Sequence, residues 1–199
     1  MTPLRSLAQT VDGIDTSPEM VAIASAKGLK AWVADLRAVE SNAYDLITMC
    51  MAFHWFEHDE AVRAMTAASA AEATWVVYNF WFAGHRTEEK FNRWLRGWYL
   101  EQFPSPARSA TSVVPKPEDG DIELLAHASG TLHVPFDRPG LIGYLTTQSN
   151  VEARLAADFQ YAQAEKLIDS TMPRVAGPSA YLFGHEYSIC HVRRANLAP

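Results

Sequence analysis

The sequence predicts an α/β fold with a mostly parallel sheet and flanking helices, and three observations predict it. Short apolar runs alternate with helix-forming segments through the first 82 residues. The runs are nearly continuous in apolar residues, which is typical of parallel strands buried on both faces. Two of these runs end in an aspartate. The order strand, helix, strand, strand, helix, strand at this spacing indicates βαβ winding.

The first unit reads as a short strand, an acid and a capped helix. Residues 11–14 form the apolar run, and Asp15 ends it. Ser17 can cap the helix with a proline at the first helical position, or Thr16 can cap it with a glutamate three residues on. Gly28 suits the left-handed position just past the helix end. The helix is expected to bury an apolar face made of Met20, Val21, Ile23 and Ala24.

A carboxylate at the end of such a strand has a chemical use. Ligands of open α/β sheets bind beyond the carboxyl ends of the strands. There Asp15 could accept two hydrogen bonds from a ribose diol, which would offset the cost of a half-buried charge. The alternative is a plain helix-capping aspartate.

Composition limits the classes of function. A length of 199 residues predicts one domain over residues 1–199, and a net charge of −6 argues against a nucleic-acid partner. No apolar run reaches the length of a membrane span, and the first residues lack a secretory pattern. Cys50 and Cys190 both lie in apolar runs, so we expect packed thiols in a reducing, cytoplasmic compartment.

Further elements follow in order. Residues 3–8 form a possible helical fragment. Strands are predicted over residues 31–34, which lead into Asp35, over residues 44–51 and over residues 74–82; a helix starts near Asp59. Residues 87–103 read as a helix whose aromatic side is core or lid packing, or else a substrate wall. Its members are Phe91, Trp94, Leu95, Trp98 and Tyr99.

The last third of the chain is predicted to contain both helices and strands. We expect a loop over residues 105–121, a short helix over 121–128 and a strand over 130–136. Helices follow over residues 139–147 and 151–168, and a closing strand over 187–192. No internal repeat divides the chain, so its two parts, residues 1–85 and 86–199, are expected to form a single domain.

Three phrases together resemble a known family. They are GIDTSPEM at residues 13–20, AD at 34–35 and YDLITMCMAFHWF at 44–56. In order and spacing they resemble the second-, third- and fourth-strand motifs of the class I S-adenosylmethionine-dependent methyltransferases, and specifically the type 11 methyltransferase domain. The resemblance covers residues 11–82 well and the remainder in layout only. It implies a Rossmann-like methyltransferase fold.

The resemblance also implies an activity and a site. It implies S-adenosyl-L-methionine as cofactor, a small-molecule methyl acceptor and a possible homodimer. Asp15 would hold the ribose hydroxyls, Met20 would pack on the adenine, and Asp35 would accept from its amino group. The backbone at Ala52 would face the methionine end, and His54 would border the substrate. The implied cofactor-binding residues are Asp15, Ser17, Met20, Asp35, Leu36 and Ala52, with His54 as the catalytic candidate.

One motif of the family is missing. Its first strand and glycine-rich loop would precede the ribose acid by about 20 residues, yet only 14 residues precede Asp15. The sheet should therefore expose two unpaired strand edges, or its second and fourth strands should pair directly. Weak cofactor binding is expected, and the alternative function is a non-catalytic relative that binds a ligand or partner. A nucleotide-dependent oxidoreductase would need the same missing loop.

Other chemistry is less well supported. His54 could act as a general base, or it could simply shape an aromatic-lined pocket. His54 and His58 are four residues apart, but no third zinc ligand follows from the spacing. Cys50 is expected inside a strand, which disfavours a nucleophile pair with His54. Neither a GxSxG elbow nor a GxxxxGK[ST] loop occurs.

Overall fold

The computed structural model describes residues 2–39, 44–106, 115, 122–155, 160–175 and 179–193. Its strands are β1 (Asp12–Asp15), β2 (Lys30–Val33), β3 (Tyr44–Cys50), β4 (Ser69–His85), β5 (Ile122–Phe136) and β6 (Ser179–Arg193). Its α-helices are α1 (Pro18–Ala26), α2 (His58–Ala68), α3 (Glu89–Trp94), α4 (Leu100–Gln102), α5 (Arg138–Thr146), α6 (Ser149–Leu155) and α7 (Tyr161–Thr171). Short 3-10 turns cover Thr2–Ser6, Leu36–Ala38 and Phe53–Trp55, and a π-helical turn covers Leu95–Tyr99.

The strands form two separate sheets. β1 and β2 pair in parallel as a two-stranded sheet, while the other four strands are ordered β3-β4-β6-β5. β3 runs parallel to β4, and β6 runs antiparallel to both β4 and β5. The α/β class is therefore confirmed. Of the two outcomes expected for a sheet without its first strand, the described residues show the first: one edge of β1 and one edge of β3 pair with no other described strand.

Helix α1 begins as one of the two predicted caps requires. The hydroxyl of Ser17 accepts a hydrogen bond from the Met20 amide at 3.2 Å, with proline at the first helical position. Gly28 has φ = 70°, as predicted for the residue past the end. The predicted buried face is wrong: no residue of α1 is buried, and the side chains of Met20 and Ile23 are each about half exposed. The split sheet leaves this helix little to pack on.

The first hydrophobic core lies under α2, and we call it the α2 core. It joins one face of β3, β4 and β6 to α2 and to the turns before it. Phe53 and Trp75 are fully buried there. Residues of α2 that face it, Ala61, Val62 and Met65, follow the predicted helical spacing.

The second core lies on the opposite face of the larger sheet, toward the carboxyl end of β4, and we call it the aromatic core. The predicted aromatic side of residues 87–103 is buried in it, which favours core packing over a substrate wall. Phe82 of β4 contacts four aromatic rings at centroid distances between 5.3 and 6.1 Å. Helices α5, α6 and α7 close this core.

Several boundaries differ from the predictions. Residues 122–128 form the start of β5 instead of a helix, because they pair with β6. The predicted helix over residues 151–168 is two helices, α6 and α7, with residue 160 outside both. β4 and β6 are each longer than predicted. Most of the predicted loop, from residue 107 to 121, lies outside the described residues except for Pro115.

The two cysteines are not alike. Both thiols are free, but only Cys190 is buried, whereas Cys50 is exposed. Its side chain lies on the face of β3 opposite that of Met49, which packs in the α2 core. Burial raises the pKa of the Cys190 thiol to about 11, so this thiol stays protonated near neutral pH. Among the described residues, no helix is long and apolar enough to cross a membrane.

Candidate functional site

The two aspartates predicted to grip one ligand lie at the same edge of the smaller sheet. Asp15 ends β1 and is opposite Val33 of β2. The Ala34 amide donates to the Asp15 carbonyl at 3.1 Å, which continues the pairing to the residue before Asp35. Because parallel strands end at one edge, Asp15 and Asp35 both lie at that edge of the smaller sheet.

Asp15 presents a carboxylate to solvent. Its Oδ1 accepts a hydrogen bond from the Ser17 amide at 2.9 Å. The helix cap itself is Ser17, whose hydroxyl also donates to Glu19 at 2.8 Å. Asp15 therefore braces the turn into α1, while its second oxygen makes no hydrogen bond within the described part of the chain. A carboxylate has about four acceptor positions, so capacity for a diol is left.

Asp35 is more heavily engaged. Its oxygens accept from Nε and Nη2 of Arg37 at 2.8 and 2.9 Å, and Oδ1 also accepts from the Arg37 amide. Arg37 Nη1 reaches Glu60 of α2 at 3.0 Å. These hydrogen bonds to Arg37 hold the pKa of Asp35 below its usual value. An adenine amino group would have to bind Asp35 at the lone pairs that Arg37 leaves over.

Replacing Arg37 with alanine should raise the pKa of Asp35 toward its ordinary value. The lowered pKa contributes stability above the unfolded-state pKa, and that contribution is lost as pH falls through the folded-state pKa. Because the pair is exposed to solvent, the effect on the free energy of unfolding should be small. Carboxyl NMR titration measures the shift. Arg37→Lys, which keeps the charge but loses the planar fork, should give a smaller shift; an unchanged Asp35 pKa in Arg37→Ala would contradict this account.

The third part of the site follows β3. Met51 adopts φ = 54°, a left-handed conformation that is uncommon for a residue with a side chain. Its sulfur accepts from the Phe80 amide at 3.1 Å. Ala52 comes next and begins the 3-10 turn that carries His54. Such local backbone strain is often found at functional sites.

His54 is held inside this turn. It is 4% exposed, and its ring lies 4.9 Å from that of Trp55. Nδ1 of His54 is 3.5 Å from Nδ2 of Asn79 on β4. This contact ties the His54 ring to β4, and the donor and acceptor roles of the two nitrogens depend on the tautomer of the ring. This arrangement favours pocket shaping over general-base action.

Tyr78 completes the border of the site. It pairs in register with Cys50 of β3. Burial, followed by the Cys50 side chain, raises the pKa of Tyr78 to about 12. The phenol is therefore neutral near pH 7 and can donate a hydrogen bond but not act as a base.

Sequence reasoning missed three residues: Arg37 and Asn79 near the carboxyl ends of the strands, and Tyr44 at the opposite, amino end of β3. The hydroxyl of Tyr44 donates to Asp12 at 3.2 Å, across the gap between the two sheets. A cation two residues after an acid could have signalled the Arg37 pair. No sequence signal marks the other two, because each depends on a contact between distant strands. No group of three potential metal ligands occurs in the described ranges.

Comparison with known proteins agrees with the fold and the family. Residues 1–70 match the family model described as a methyltransferase domain. No curated protein matches the chain. Among solved structures, a candidate type II methyltransferase from Anaeromyxobacter dehalogenans aligns with TM-score 0.60 and 13% identity, covering 96% of this chain and 83% of the other.

Two further structures align over similar spans. The YcgJ protein from Bacillus subtilis gives TM-score 0.52 at 15% identity, with 98% of this chain and 87% of that chain covered. A candidate methyltransferase from Bacillus halodurans gives TM-score 0.50 at 10% identity, with 96% and 85% covered. At such identities the likeness shows the fold alone.

Over residues 1–70 this chain is similar to the methyltransferase domain, and its fold is similar to that of solved methyltransferase structures. The resemblance read from residues 11–82 is thereby confirmed, including the type 11 methyltransferase domain. The matched region contains β1, β2 and β3 together with all the residues predicted to bind cofactor.

Proposed function

We propose that this chain transfers a methyl group from S-adenosyl-L-methionine to a small-molecule acceptor. The observation that supports this most directly is the shared edge of Asp15 and Asp35, at the carboxyl ends of two parallel strands. Such edges bind ligands in open α/β sheets. When bound, the cofactor supplies an activated methyl group on a sulfonium sulfur.

The residues fit the adenosine half of this cofactor. Asp15 has an unused carboxylate oxygen for the ribose, and Ser17 fixes the turn that orients it. Met20 is exposed beside that turn and could cover one side of the adenine. Leu36 is buried next to Asp35 and would form the apolar floor. A flat apolar clamp with a few polar groups is the usual form of such a pocket.

The methionine half is less complete. Among the described residues no strand pairs with both β1 and β3, and the segment from Met51 to Ala52 follows β3 at its carboxyl end. Fewer donors mean weaker binding. The same observation favours the second candidate function, a non-catalytic relative that binds a ligand or partner.

The acceptor would lie beyond the turn that holds His54. Because Asn79 contacts the imidazole ring of His54 and fixes its orientation, the proposed role of His54 is to position and orient the acceptor in an aromatic-lined pocket. Its role as the catalytic residue stays a prediction. Methyl transfer needs mainly alignment of the reacting groups, so a pocket that orients the acceptor is sufficient for a large part of the rate.

Titration calorimetry with S-adenosylhomocysteine tests the proposal. Asp15→Ala should weaken binding by about 10- to 100-fold, because hydrogen bonds to a charged group contribute about 1.5–3 kcal/mol. Glu152→Ala, which removes an exposed carboxylate from α6, should bind like the unmodified chain. No heat at millimolar ligand, with the circular dichroism spectrum of a folded protein, would overturn the proposal in favour of the non-catalytic relative.

A further inference from the structure

One face of the larger sheet changes its chemical character along β4. Trp75 and Val77 are fully buried in the α2 core. The next two side chains on the same face are Asn79 and Trp81, and Trp81 is 48% exposed. The α2 core is therefore followed by a polar and aromatic surface toward the carboxyl end of β4. The turn that carries His54 borders this surface, because His54 contacts Asn79.

An acidic residue of β6 lies on the same surface. Glu186 is the register partner of Asn79, so the two side chains leave the same face of the sheet with their Cβ atoms about 5 Å apart. Oε1 of Glu186 is 3.4 Å from Nε2 of His127 on β5. Among the described residues His127 is the only ion-pair partner of Glu186, and it is charged only when its ring is protonated. A neutral imidazole leaves the negative charge of Glu186 uncompensated.

Two groups on this surface have hydrogen-bonding capacity left. Oδ1 of Asn79 is buried and has no hydrogen-bond partner within the described part of the chain. The Glu186 side chain is 30% exposed, and its two oxygens can accept more hydrogen bonds than His127 donates. A ligand donor that reaches between Asn79 and Glu186 would satisfy both acceptors. An ammonium group carries several N–H donors together with the positive charge that the carboxylate lacks.

Indole rings border the carboxylate. Trp81 pairs in register with Gly184, which lies two residues before Glu186 on the same face of β6. Gly184 makes room for the indole, since a Cβ atom there would collide with Cε2 of Trp81. The Trp81 ring therefore lies across β6 next to Glu186. On the β3 side, Trp55 is 43% exposed and its ring is 4.9 Å from that of His54. Exposed indoles attract organic cations through the faces of their rings.

We propose that this surface holds the methyl acceptor by an ammonium group, with Glu186 as its counter-ion and with Trp55 and Trp81 against its apolar part. The proposal rests on the proposed function and names the class of acceptor, a small amine that is positively charged near neutral pH. Glu186 would set this specificity from β6, which lies outside the region that matches the family model. The same charge would exclude an acidic acceptor of similar size.

Binding of phenethylamine tests this in the absence of the methyl donor. The indole N–H signals of Trp55 and Trp81, assigned from Trp55→Phe and Trp81→Phe variants, report the titration by NMR. We expect saturable shifts of both signals with a dissociation constant of about 1 mM or below. Phenethyl alcohol has a similar shape but no charge, and phenylpropionate is anionic. Each should bind about 10- to 100-fold more weakly than the amine.

Matched variants locate the site. Glu186→Gln keeps the size of the side chain but removes its charge, and should weaken phenethylamine binding about 10- to 100-fold. Glu72→Gln is the control, because Glu72 forms a similar pair between strands, with His191 at 3.0 Å, near the opposite end of β4. It should bind like the unmodified chain. His127→Gln should bind the amine at least as tightly as the unmodified chain, because it removes the group that competes for Glu186.

Four results would overturn the proposal while circular dichroism shows folded variants. They are no binding at millimolar amine, equal binding of the alcohol or the carboxylate, unchanged binding in Glu186→Gln, and an equal loss in His127→Gln. The last result would mean that Glu186 acts only by holding His127.

The outcome is separate from that of the proposed function, because these titrations contain no cofactor. If the chain binds S-adenosylhomocysteine but not the amine, this proposal alone fails. If it binds the amine but not S-adenosylhomocysteine, the proposed methyl transfer fails, and the amine site belongs to a non-catalytic relative.

Discussion

Replacing Trp75 with alanine is expected to lower the free energy of unfolding by about 3–5 kcal/mol. Trp75 is fully buried in the α2 core, on the central strand β4, in register with Ile47 of β3 and Cys190 of β6. Removing the indole leaves a cavity where three strands and α2 meet. Cavities of this kind are costly because the surrounding structure relaxes only in part.

The indole also anchors the end of α2. Its Nε1 donates to the hydroxyl of Ser69 at 2.8 Å, and this hydroxyl donates to the Met65 carbonyl at 2.7 Å. All three groups are buried, so losing the indole leaves the Ser69 oxygen without its donor. Trp75→Phe should therefore lower the free energy of unfolding less than Trp75→Ala does. The loss should still be larger than the change in side-chain volume alone would cause.

Urea unfolding followed by circular dichroism measures this loss. Trp55→Ala is the matched control, because that tryptophan is 43% exposed and should change the unfolding free energy by less than about 1 kcal/mol. A loss below about 1 kcal/mol in Trp75→Ala would contradict the packing described for the α2 core. Unfolding in two separate steps would instead show that the two cores unfold independently.

Local signals were sufficient to predict the parallel part of the fold. The cap at Ser17 and the left-handed Gly28 depend only on neighbouring residues, and both were predicted correctly. The placement of Asp15 and Asp35 at one edge of the sheet follows from parallel winding alone. These features need no knowledge of distant contacts.

The features that were not predicted depend on pairing between segments that are distant in the sequence. Residues 122–128 have apolar residues at helical spacing, yet pairing with β6 makes them a strand. At its start β4 is poor in strand-forming residues, and the pairing of Glu72 with Arg193 extends it. The exposed face of α1 was missed because helical periodicity predicts an apolar face but not the presence of a surface to cover it. The contact between His54 and Asn79 likewise joins positions 25 residues apart.

Replacing Asn92 with alanine is expected to cost about 2–4 kcal/mol, although the change removes few atoms. The Asn92 side chain accepts from the His85 amide at 2.7 Å and donates to the His85 carbonyl at 2.8 Å. Both backbone groups are buried, and each unpaired buried group costs about 1–3 kcal/mol. Asn92 also lies close to Gly84, which has φ = 107°. A Cβ atom at Gly84 would be 2.5 Å from the side-chain oxygen of Asn92.

These hydrogen bonds stabilise the turn between β4 and α3. His85 itself accepts through Nδ1 from the amides of Thr87 and Glu88 at 3.1 and 3.0 Å. Without Asn92, the His85 amide should exchange with solvent at least tenfold faster, while amides of the α2 core should keep their protection. Arg93→Ala, at the exposed neighbouring position, is the control and should leave both unchanged. An unaltered exchange rate at His85 in the Asn92 variant would mean that the turn is held by the aromatic core instead of by this amide. Since Trp75 lies in the α2 core and Asn92 lies outside it on α3, their effects on the unfolding free energy should add.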